Sequence, residues 1–287
     1  MFKRNQKGFS LIEISVVILI IGILIAGISQ ASDMIDEANL KGARAASKGS
    51  RVSRTRDLVL WLDATADGTA LSSVNKQVAD NESVAQWKDS NPNSIDGFVL
   101  TGVAPQYNAN KTSGLPSIYF SGASYLKLSN KFDNSAGEYT IYLVYQPYVL
   151  SNSVIMEKRS TAQTGAYPYK LELDATNLVY KLSDSNGSIS SSSTKKPSAG
   201  KTNLIRLSRS ASGVLTISVD DVSTSGVANA TAAVNSSELM IGALNAATIA
   251  NYINGRIGEL IIFDRDLNPS EESDIEKYLY KKWKLGK

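Results

Sequence analysis

The chain has 287 residues, of which 43% are hydrophobic and 20% are charged, values typical of a folded globular protein. It contains no cysteine and no histidine, which excludes disulfides, thiolate metal sites and catalysis by a histidine base. The net charge of +3 comes from Lys3, Arg4 and Lys7 in an acid-free start; the remainder holds equal numbers of acidic and basic residues, so nucleic acid is not an expected partner.

The N-terminus joins a short basic segment, residues 1–8, to a nearly unbroken apolar segment, residues 9–28. A helix of about 20 residues rises roughly 30 Å, the thickness of a bilayer's hydrocarbon core. The pattern therefore predicts a membrane-spanning helix. It fits three uses: a secretory signal peptide removed before Ser32, a plain membrane anchor, or a segment that is used again after export.

Glu13 is the feature that separates these uses. It is a carboxylate within the apolar segment, where a charged side chain near the bilayer centre costs about 2.5–3.5 kcal/mol. A group this costly needs an oppositely charged partner or a function.

The heptapeptide KGFSLIE, from Lys7 to Glu13, closely resembles the prepilin cleavage motif of type IV pilins and type II secretion pseudopilins. The resemblance implies that a prepilin peptidase cuts between Gly8 and Phe9 and methylates the new N-terminus on Phe9. It also implies an inner-membrane precursor, assembly with other pilin subunits into a helical filament by a pilus assembly machinery, and a final location on an extracellular filament at the cell surface.

Cleavage would give Phe9 a positive charge, and Glu13 of a neighbouring subunit carries a negative one. Each charge is costly alone in an apolar environment and much less so when the two are paired. Because a single buried polar pair can fix the register of packed helices, we expect Glu13 to set the stagger between subunits.

The helix is predicted to continue to residue 56, since no proline follows the apolar segment until much later. Lys41, Arg44, Lys48 and Arg51 recur at spacings of three and four and so lie along one helical face. This stripe is either solvated or faces an acidic patch of an adjacent subunit. The predicted organisation is a leader (1–8), a helix (9–56) and a head (57–287).

The head alternates short β-branched or aromatic runs with turn residues, which predicts an antiparallel β-sandwich or jelly roll. Residues 183–203 are rich in serine and are predicted to form an exposed loop between strands. A C-terminal helix is predicted to begin with Asn268 as its N-cap, Pro269 in its first turn and Glu271 completing a capping box. The predicted fold class is α+β. The predicted strand segments are 58–62, 118–120, 140–145, 169–173, 178–182, 204–207, 215–219, 239–241 and 259–263.

Several blocks of the head resemble the concanavalin A-like, laminin-G-like domains of bacterial secreted proteins. The most specific block runs from Asn254 to Trp283; LWLDA (Leu60–Ala64), QWKD (Gln86–Asp89) and GLPSIYFSGASYL (Gly114–Leu126) are the others. The resemblance implies a two-sheet jelly roll that binds glycans or surface proteins, often with calcium.

Two possible chemical sites are weak. Glu172-Leu173-Asp174 begins a glycosidase-like E-x-D-x-x-E pattern, but Asn177 stands where the last carboxylate is needed, so we expect no enzyme. No cofactor is expected unless it is calcium, and the candidate ligands at alternate positions also fit an Asx-rich turn. These candidates are Asp89, Asn91, Asn93 and Asp96. Tyr167, Tyr169 and Tyr252 fall near predicted loops or strand ends, where tyrosines could stack on sugars, although most of the tyrosines are expected in the core.

The expected function is a structural subunit of a type IV pilus-like filament whose head mediates adhesion or binding. Two alternatives remain open at this point. One is a pseudopilin of a type II secretion system, and the other is a membrane-anchored surface lectin. The identity of any ligand is left open by the sequence.

Overall fold

The computed structural model describes residues 10–92, 99–128, 137–162, 167–184, 189–228 and 237–286. The helices are α1 (Leu11–Gly49), a 3-10 turn (Val52–Arg54) and α2 (Pro269–Trp283). The strands are β1 (Leu58–Asp63), β2 (Ala70–Leu71), β3 (Gln86–Lys88), β4 (Val99–Val103), β5 (Gln106–Thr112), β6 (Leu115–Ser121), β7 (Tyr125–Leu128), β8 (Tyr139–Pro147), β9 (Ser153–Lys158), β10 (Lys170–Asp174), β11 (Val179–Asp184), β12 (Ile189–Ser192), β13 (Asn203–Arg209), β14 (Val214–Val219), β15 (Val222–Ala228), β16 (Leu239–Ile241) and β17 (Asn254–Phe263).

α1 is a single helix of 39 residues that ends earlier than the sequence predicts. The prediction extended it to residue 56, whereas Ser50 adopts an extended conformation (φ −69°, ψ 162°) and its backbone N–H donates to Ser47 O. The 3-10 turn then leads to Asp57, whose positive φ of 63° turns the chain into β1. The helix and the head are therefore joined by a short turn.

All described strand pairings are antiparallel, and they form two sheets. Sheet A has the order β15-β14-β13-β8-β17-β6-β5, with β1 pairing along the second half of β17. Sheet B has the order β12-β11-β10-β9-β16-β7-β4-β3-β2. The prediction of a long N-terminal helix, an antiparallel sandwich and a C-terminal helix is confirmed.

The head has three layers and two apolar clusters. The larger cluster fills the space between the sheets, where alternate residues of each strand point inward, such as Ile141 and Leu143 of β8. The smaller cluster lies on the outer face of sheet A, where Tyr142 and Val144 of the same strand contact α2. Ala43 of α1 belongs to this second cluster, so the lower part of α1 packs with the head.

The predicted loop at residues 183–203 is partly wrong, because it contains strand β12, which pairs with β11. Its serines are small enough for the edges of the two sheets to meet there. Ser191 Oγ donates to Thr224 O in β15 at 2.7 Å, and a Cβ on Gly226 would lie 2.6 Å from Ser190 O. The low-complexity composition therefore reflects a close approach of two strands.

α2 begins as predicted. The Asn268 side chain accepts from the backbone N–H groups of Ser270 and Glu271, and Glu271 completes the capping box with Pro269 at the start of the helix. Its last residue, Trp283, fills a depression in β17 that only a glycine provides, since a Cβ on Gly258 would lie 2.4 Å from Trp283 Cη2. Gly258 coincides with a β-bulge in the pairing of β17 with β8.

Candidate functional site

The first turn of α1 holds Glu13 in a local contact. The Ser10 backbone N–H donates to Glu13 Oε2 at 2.8 Å, and the Ile12 N–H donates to Ser10 Oγ at 3.4 Å, which is a capping box. The S-x-x-E spacing from Ser10 to Glu13 could have revealed this from the sequence. Gly8 and Phe9 lie outside the described residues, so the cleavage site and the pairing of Glu13 with a neighbouring subunit stay predictions.

The apolar part of α1 packs against no other described residue. Every residue from Leu11 to Ile28 is exposed, and Leu11, Ile18 and Ile28 are 84%, 64% and 70% accessible. Within the described residues this is the one helix whose length and composition would let it cross a membrane. An apolar surface on all sides of a helix is stable only in lipid or against other helices.

The basic stripe is largely exposed, and two of its four members also contact the head. Arg44 Nε donates to Thr65 O at 2.8 Å, and Arg51 forms an ion pair with Asp274 of α2 at 3.3 Å. Lys41 pairs with a glutamate one turn earlier in the same helix. Two of the four bases therefore attach α1 to the head, a role that neither interpretation of the stripe included.

The junction of α1 with the head is built around the buried ammonium of Lys282. Its Nζ donates to Asp63 Oδ2 and to Glu259 Oε2, both at 2.8 Å. It also lies 2.9 Å from Ser47 Oγ of α1 and 3.1 Å from the Tyr278 hydroxyl. One lysine of α2 thus connects the helix with adjacent positions of β1 and β17. We call Ser47, Asp63, Glu259, Tyr278 and Lys282 the junction network.

The carboxylates of Glu259 and Asp63 each accept four hydrogen bonds. Trp61 Nε1 and the Tyr278 hydroxyl donate to Glu259 Oε1, each at 2.7 Å, and Trp283 Nε1 donates to Glu259 Oε2 at 2.8 Å. Both oxygens of the Glu259 carboxylate therefore accept hydrogen bonds. This satisfies the demand that a buried charge be fully hydrogen-bonded.

The pKa values of the two carboxylates of the junction network are shifted in opposite directions. Burial raises the pKa of Glu259, and the nearby Asp63 raises it further against the attraction of Lys282. Burial also acts to raise the pKa of Asp63, but the charge of Lys282 and hydrogen bonds from Lys282, Thr65 and Ser47 outweigh it and the pKa is lowered. Asp63 therefore keeps its negative charge to a lower pH than Glu259 does.

A pair of carboxylates with separated pKa values is a pattern also found in active sites. Here the side chains of Asp63, Glu259 and Lys282 are at most 1% exposed, closed in by α1, α2 and sheet A. Glu259 is closed off from solvent, and Asp63 borders a cleft only through a side chain that is 1% exposed. The arrangement attaches a helix to a domain, and it gives no positive indication of catalysis.

The glycosidase-like tripeptide ends in a turn. Asp174 Oδ1 accepts from the backbone N–H groups of Thr176 and Asn177, while Glu172 forms ion pairs with Lys170 and Lys181. Hydrogen bonds from Asn177 lower the pKa of Asp174. The tripeptide borders a cleft of about 380 Å³ that also includes Asn152, Ser153 and Asn251.

The first two calcium candidates form a local turn beside β1. Asp89 Oδ1 accepts from the backbone N–H groups of Trp61 and Asn91, and Asn91 Nδ2 donates to Leu58 O. Asn93 and Asp96 lie outside the described residues. Among the residues that are described, no group of three acidic, histidine or cysteine side chains could hold a metal ion. A calcium site here stays a prediction.

A cleft of about 680 Å³ opens between α1 and this turn, lined by Arg44, Lys48, Trp61, Lys88 and Asp89 among others. Its basic and acidic groups are mixed, and Asp63 of the junction network forms part of its floor. The cleft therefore carries no single charge that would select a ligand.

The tyrosines considered for sugar stacking are mostly in the core. Tyr167 and Tyr169 are each 1% exposed, and Tyr252 is partly exposed. Tyr119 and Tyr148, which the sequence did not single out, reach the surface of sheet A. Their partners across the sheet come from distant parts of the chain, so no sequence signal marks them.

Comparison with known proteins separates the helix from the head. The prokaryotic N-terminal methylation motif matches residues 3–29, which confirms the prepilin resemblance of the N-terminus. A search of curated protein sequences finds no match for the chain.

Three solved structures show what the head is similar to. Domain 4 of AbnA, a GH43 extracellular arabinanase from Geobacillus stearothermophilus in complex with arabinotriose, has a TM-score of 0.51 at 16% identity, over 69% of this chain and 99% of that one. The binding domain of botulinum neurotoxin DC in complex with SialylT has a TM-score of 0.53 at 10% identity, over 78% of this chain and 52% of that one. Trypanosoma rangeli sialidase has a TM-score of 0.47 at 17% identity over 79% of this chain, which spans only 33% of the sialidase.

At these identities the first two structures show the fold and nothing more. A two-sheet β-sandwich is confirmed, whereas the closer likeness to laminin-G-like domains stays a prediction. The chain therefore joins a prepilin-type N-terminal methylation segment and an apolar helix to a β-sandwich head.

Proposed function

We propose that the protein is a structural subunit of a type IV pilus-like filament that displays its β-sandwich head on the filament surface. The observation that carries the proposal is the methylation motif at residues 3–29 at the start of a helix whose side chains are all exposed from Leu11 to Ile28. Burial of each large apolar side chain contributes about 1.5–3 kcal/mol, so this helix strongly favours a lipid or helical environment. A membrane supplies it for the precursor, and neighbouring helices supply it in a filament.

Glu13 allows a sharp test, because its role in the helix cap and its negative charge can be removed separately. Glutamine at the third helical position preserves a capping box, so Glu13→Gln keeps the helix start and removes only the charge. Glu13→Ala removes both. If the charge pairs with the methylated N-terminus of a neighbour, both variants should reduce filament yield to a similar extent while precursor cleavage continues.

Filament yield is measured by shearing cells and by immunogold labelling, and cleavage is measured by N-terminal sequencing of the membrane fraction. Normal filaments from Glu13→Gln with a defect only in Glu13→Ala would show that the cap matters and the charge does not. A mature protein that begins at Ser32 would overturn the proposal itself, because the apolar helix would then be discarded as a signal peptide.

A pseudopilin would share the cleavage site, the helix and the inner-membrane precursor. Deletion of the gene distinguishes the two roles. Loss of surface filaments with normal protein secretion supports the pilus subunit, whereas loss of secretion from cells that never carry such filaments supports the pseudopilin. Prepilin peptidase and the assembly machinery are proposed partners in either case.

We further propose that the head binds glycans or surface proteins and so mediates adhesion. The support is that domains of similar fold were solved with arabinotriose and with SialylT. A glycan array probed with the detergent-solubilised mature chain tests this role, and a duplicate array with chelator tests the calcium predicted near Asp89 and Asn91. Binding that survives chelation would remove calcium from the proposal, and no binding to any glycan would remove the lectin role.

A further inference from the structure

The outer face of sheet A carries a row of polar and aromatic side chains beyond the end of α2. Strand pairing aligns Gln106 of β5, Tyr119 of β6, Arg256 of β17 and Gln146 of β8 directly across the sheet. We call these four residues the outer row. Ile257, beside Arg256, points into the core, so Arg256 points outward. With strands about 4.8 Å apart, the outer row extends over roughly 14 Å.

The centre of the outer row is a cation between two aromatic rings. Arg256 Cζ lies 4.5 Å from the ring centre of Tyr148 and 5.6 Å from that of Tyr119. The two rings meet edge-on at 5.7 Å. Tyr148 follows β8 directly, and its backbone N–H donates to Asn254 O at 2.8 Å, which holds the ring against β17. The geometry is thus fixed by strands and a short, hydrogen-bonded connection.

Arg256 forms no direct ion pair within the described residues, although the charge of Asp80 acts on it from beyond 4.0 Å. Its Nε donates to Asn108 Oδ1 at 3.0 Å, and no described carboxylate lies within 4.0 Å of its guanidinium nitrogens. Arg206 and Arg265 differ, since each forms an ion pair with a glutamate of α2. Partial burial lowers the pKa of Arg256, while the negative charge of Asp80 acts to raise it. A partly buried guanidinium that is hydrogen-bonded to a neutral amide and forms no direct ion pair is complementary to an anionic ligand.

The neighbours of Arg256 in the outer row and the two rings beside it are neutral amides and aromatic faces. Gln106 is exposed, Gln146 is partly exposed, and Gln146 Nε2 already donates to Gly200 O, which fixes its orientation. Amides recognise hydroxyl groups, and tyrosine rings cover the C–H faces of sugar rings. An acidic peptide would satisfy Arg256, but aspartate and glutamate side chains have no ring face for the two tyrosines to cover.

We propose that the outer row binds a carboxylate-bearing sugar within a glycan chain, with Arg256 holding the carboxylate and Tyr119 and Tyr148 contacting the sugar face. The inference rests on the proposed glycan-binding role of the head and specifies its site and ligand class. The roughly 14 Å length of the row fits a short oligosaccharide laid across the strands.

The test uses the full mature chain in detergent and two matched pairs of probes. Trigalacturonate is compared with its methyl ester, and sialyllactose with lactose, by isothermal titration calorimetry. We expect at least one charged probe to bind at least about tenfold more tightly than its neutral partner, and Arg256→Gln to abolish that difference. Tyr148→Ala should weaken binding of the charged and the neutral member of that pair by the same factor. Lys281→Gln, which removes one exposed charge from α2, is the matched control and should bind as the wild type does.

Several results would overturn the inference. These are failure of both charged probes to bind, equal affinity for charged and neutral partners, unchanged affinity of Arg256→Gln, or equally tight binding of a glutamate-rich peptide. Arg256→Lys, which keeps the charge and loses the planar fork, guards against a folding defect and should bind with intermediate affinity. Incorporation of Arg256→Gln into filaments distinguishes failure of this inference from failure of the proposed function. If the variant forms filaments and still binds glycans, the outer row is refuted as the site and the proposed function stands.

Discussion

Removing the positive charge of Lys282 should destabilise the protein more than any surface change on α2. In Lys282→Met the junction network keeps two buried carboxylates without the ammonium that now lies 2.8 Å from each. Breaking a buried ion pair from one side typically costs about 3–5 kcal/mol. For a head of this size each kcal/mol lowers the melting temperature by about 2–4 °C, so the expected fall is roughly 6–20 °C. Thermal unfolding of the mature chain in detergent, followed by near-UV circular dichroism, measures it.

The control is Lys281→Met, the exposed neighbour on the same helix, which should change the melting temperature by no more than a few degrees. Adding Glu259→Gln to Lys282→Met should recover part of the loss, because one of the two stranded negative charges is removed. The reasoning fails if the two methionine variants melt together, or if Glu259→Gln makes Lys282→Met still less stable.

Three further changes test α2 and its contact with β17. A hydrogen bond from Arg265 lowers the pKa of Glu271 below its ordinary 4.5. The pair therefore stabilises the folded state above about pH 4.5, and its contribution is lost as the pH falls through the folded pKa. Urea unfolding between about pH 3 and 6 should show the free energy of unfolding fall with decreasing pH, and Arg265→Gln should reduce that dependence. Gly258→Ala should cost about 1–3 kcal/mol by urea unfolding, because the new Cβ would overlap the ring of Trp283; a cost below about 0.5 kcal/mol would contradict that packing. Asn268→Ala should cost about 1 kcal/mol by the same measurement through loss of the N-cap, whereas Asn268→Ser should retain most of it.

The features that could be predicted from the sequence are those that depend on residues close together in the chain. The methylation motif, the apolar helix and the cap at Asn268 each depend on a short stretch of chain, and all were found correctly. The end of α1 was placed seven residues too late, since nothing local between Gly49 and residue 56 forbids a helix. The turn that follows it buries Val52 in the smaller apolar cluster, a contact with distant residues.

The features that were missed depend on residues far apart in the chain. Lys282 reads as an ordinary base at the end of an amphipathic helix, and only the approach of α1 and β1 reveals it as the centre of a buried network. Tyr119 and Arg256 are 137 positions apart and become neighbours through the pairing of β6 with β17. Strand register over such separations cannot be read from local periodicity, because many registers bury the same apolar residues.

The junction network also bears on how a filament could present the outer row. The lower part of α1 is attached to the head by Ser47 and Arg44, and Arg51 just beyond it adds an ion pair, while the part from Leu11 to Ile28 is free for lipid or for other helices. A head attached in this way must take its orientation from the helix that carries it. α1 meets sheet A near the start of β6, and Tyr119 lies four residues further along that strand, about 13 Å away. The attachment and the proposed ligand site thus occupy different ends of the same strands, so a rigid junction holds the outer row at a fixed position relative to α1.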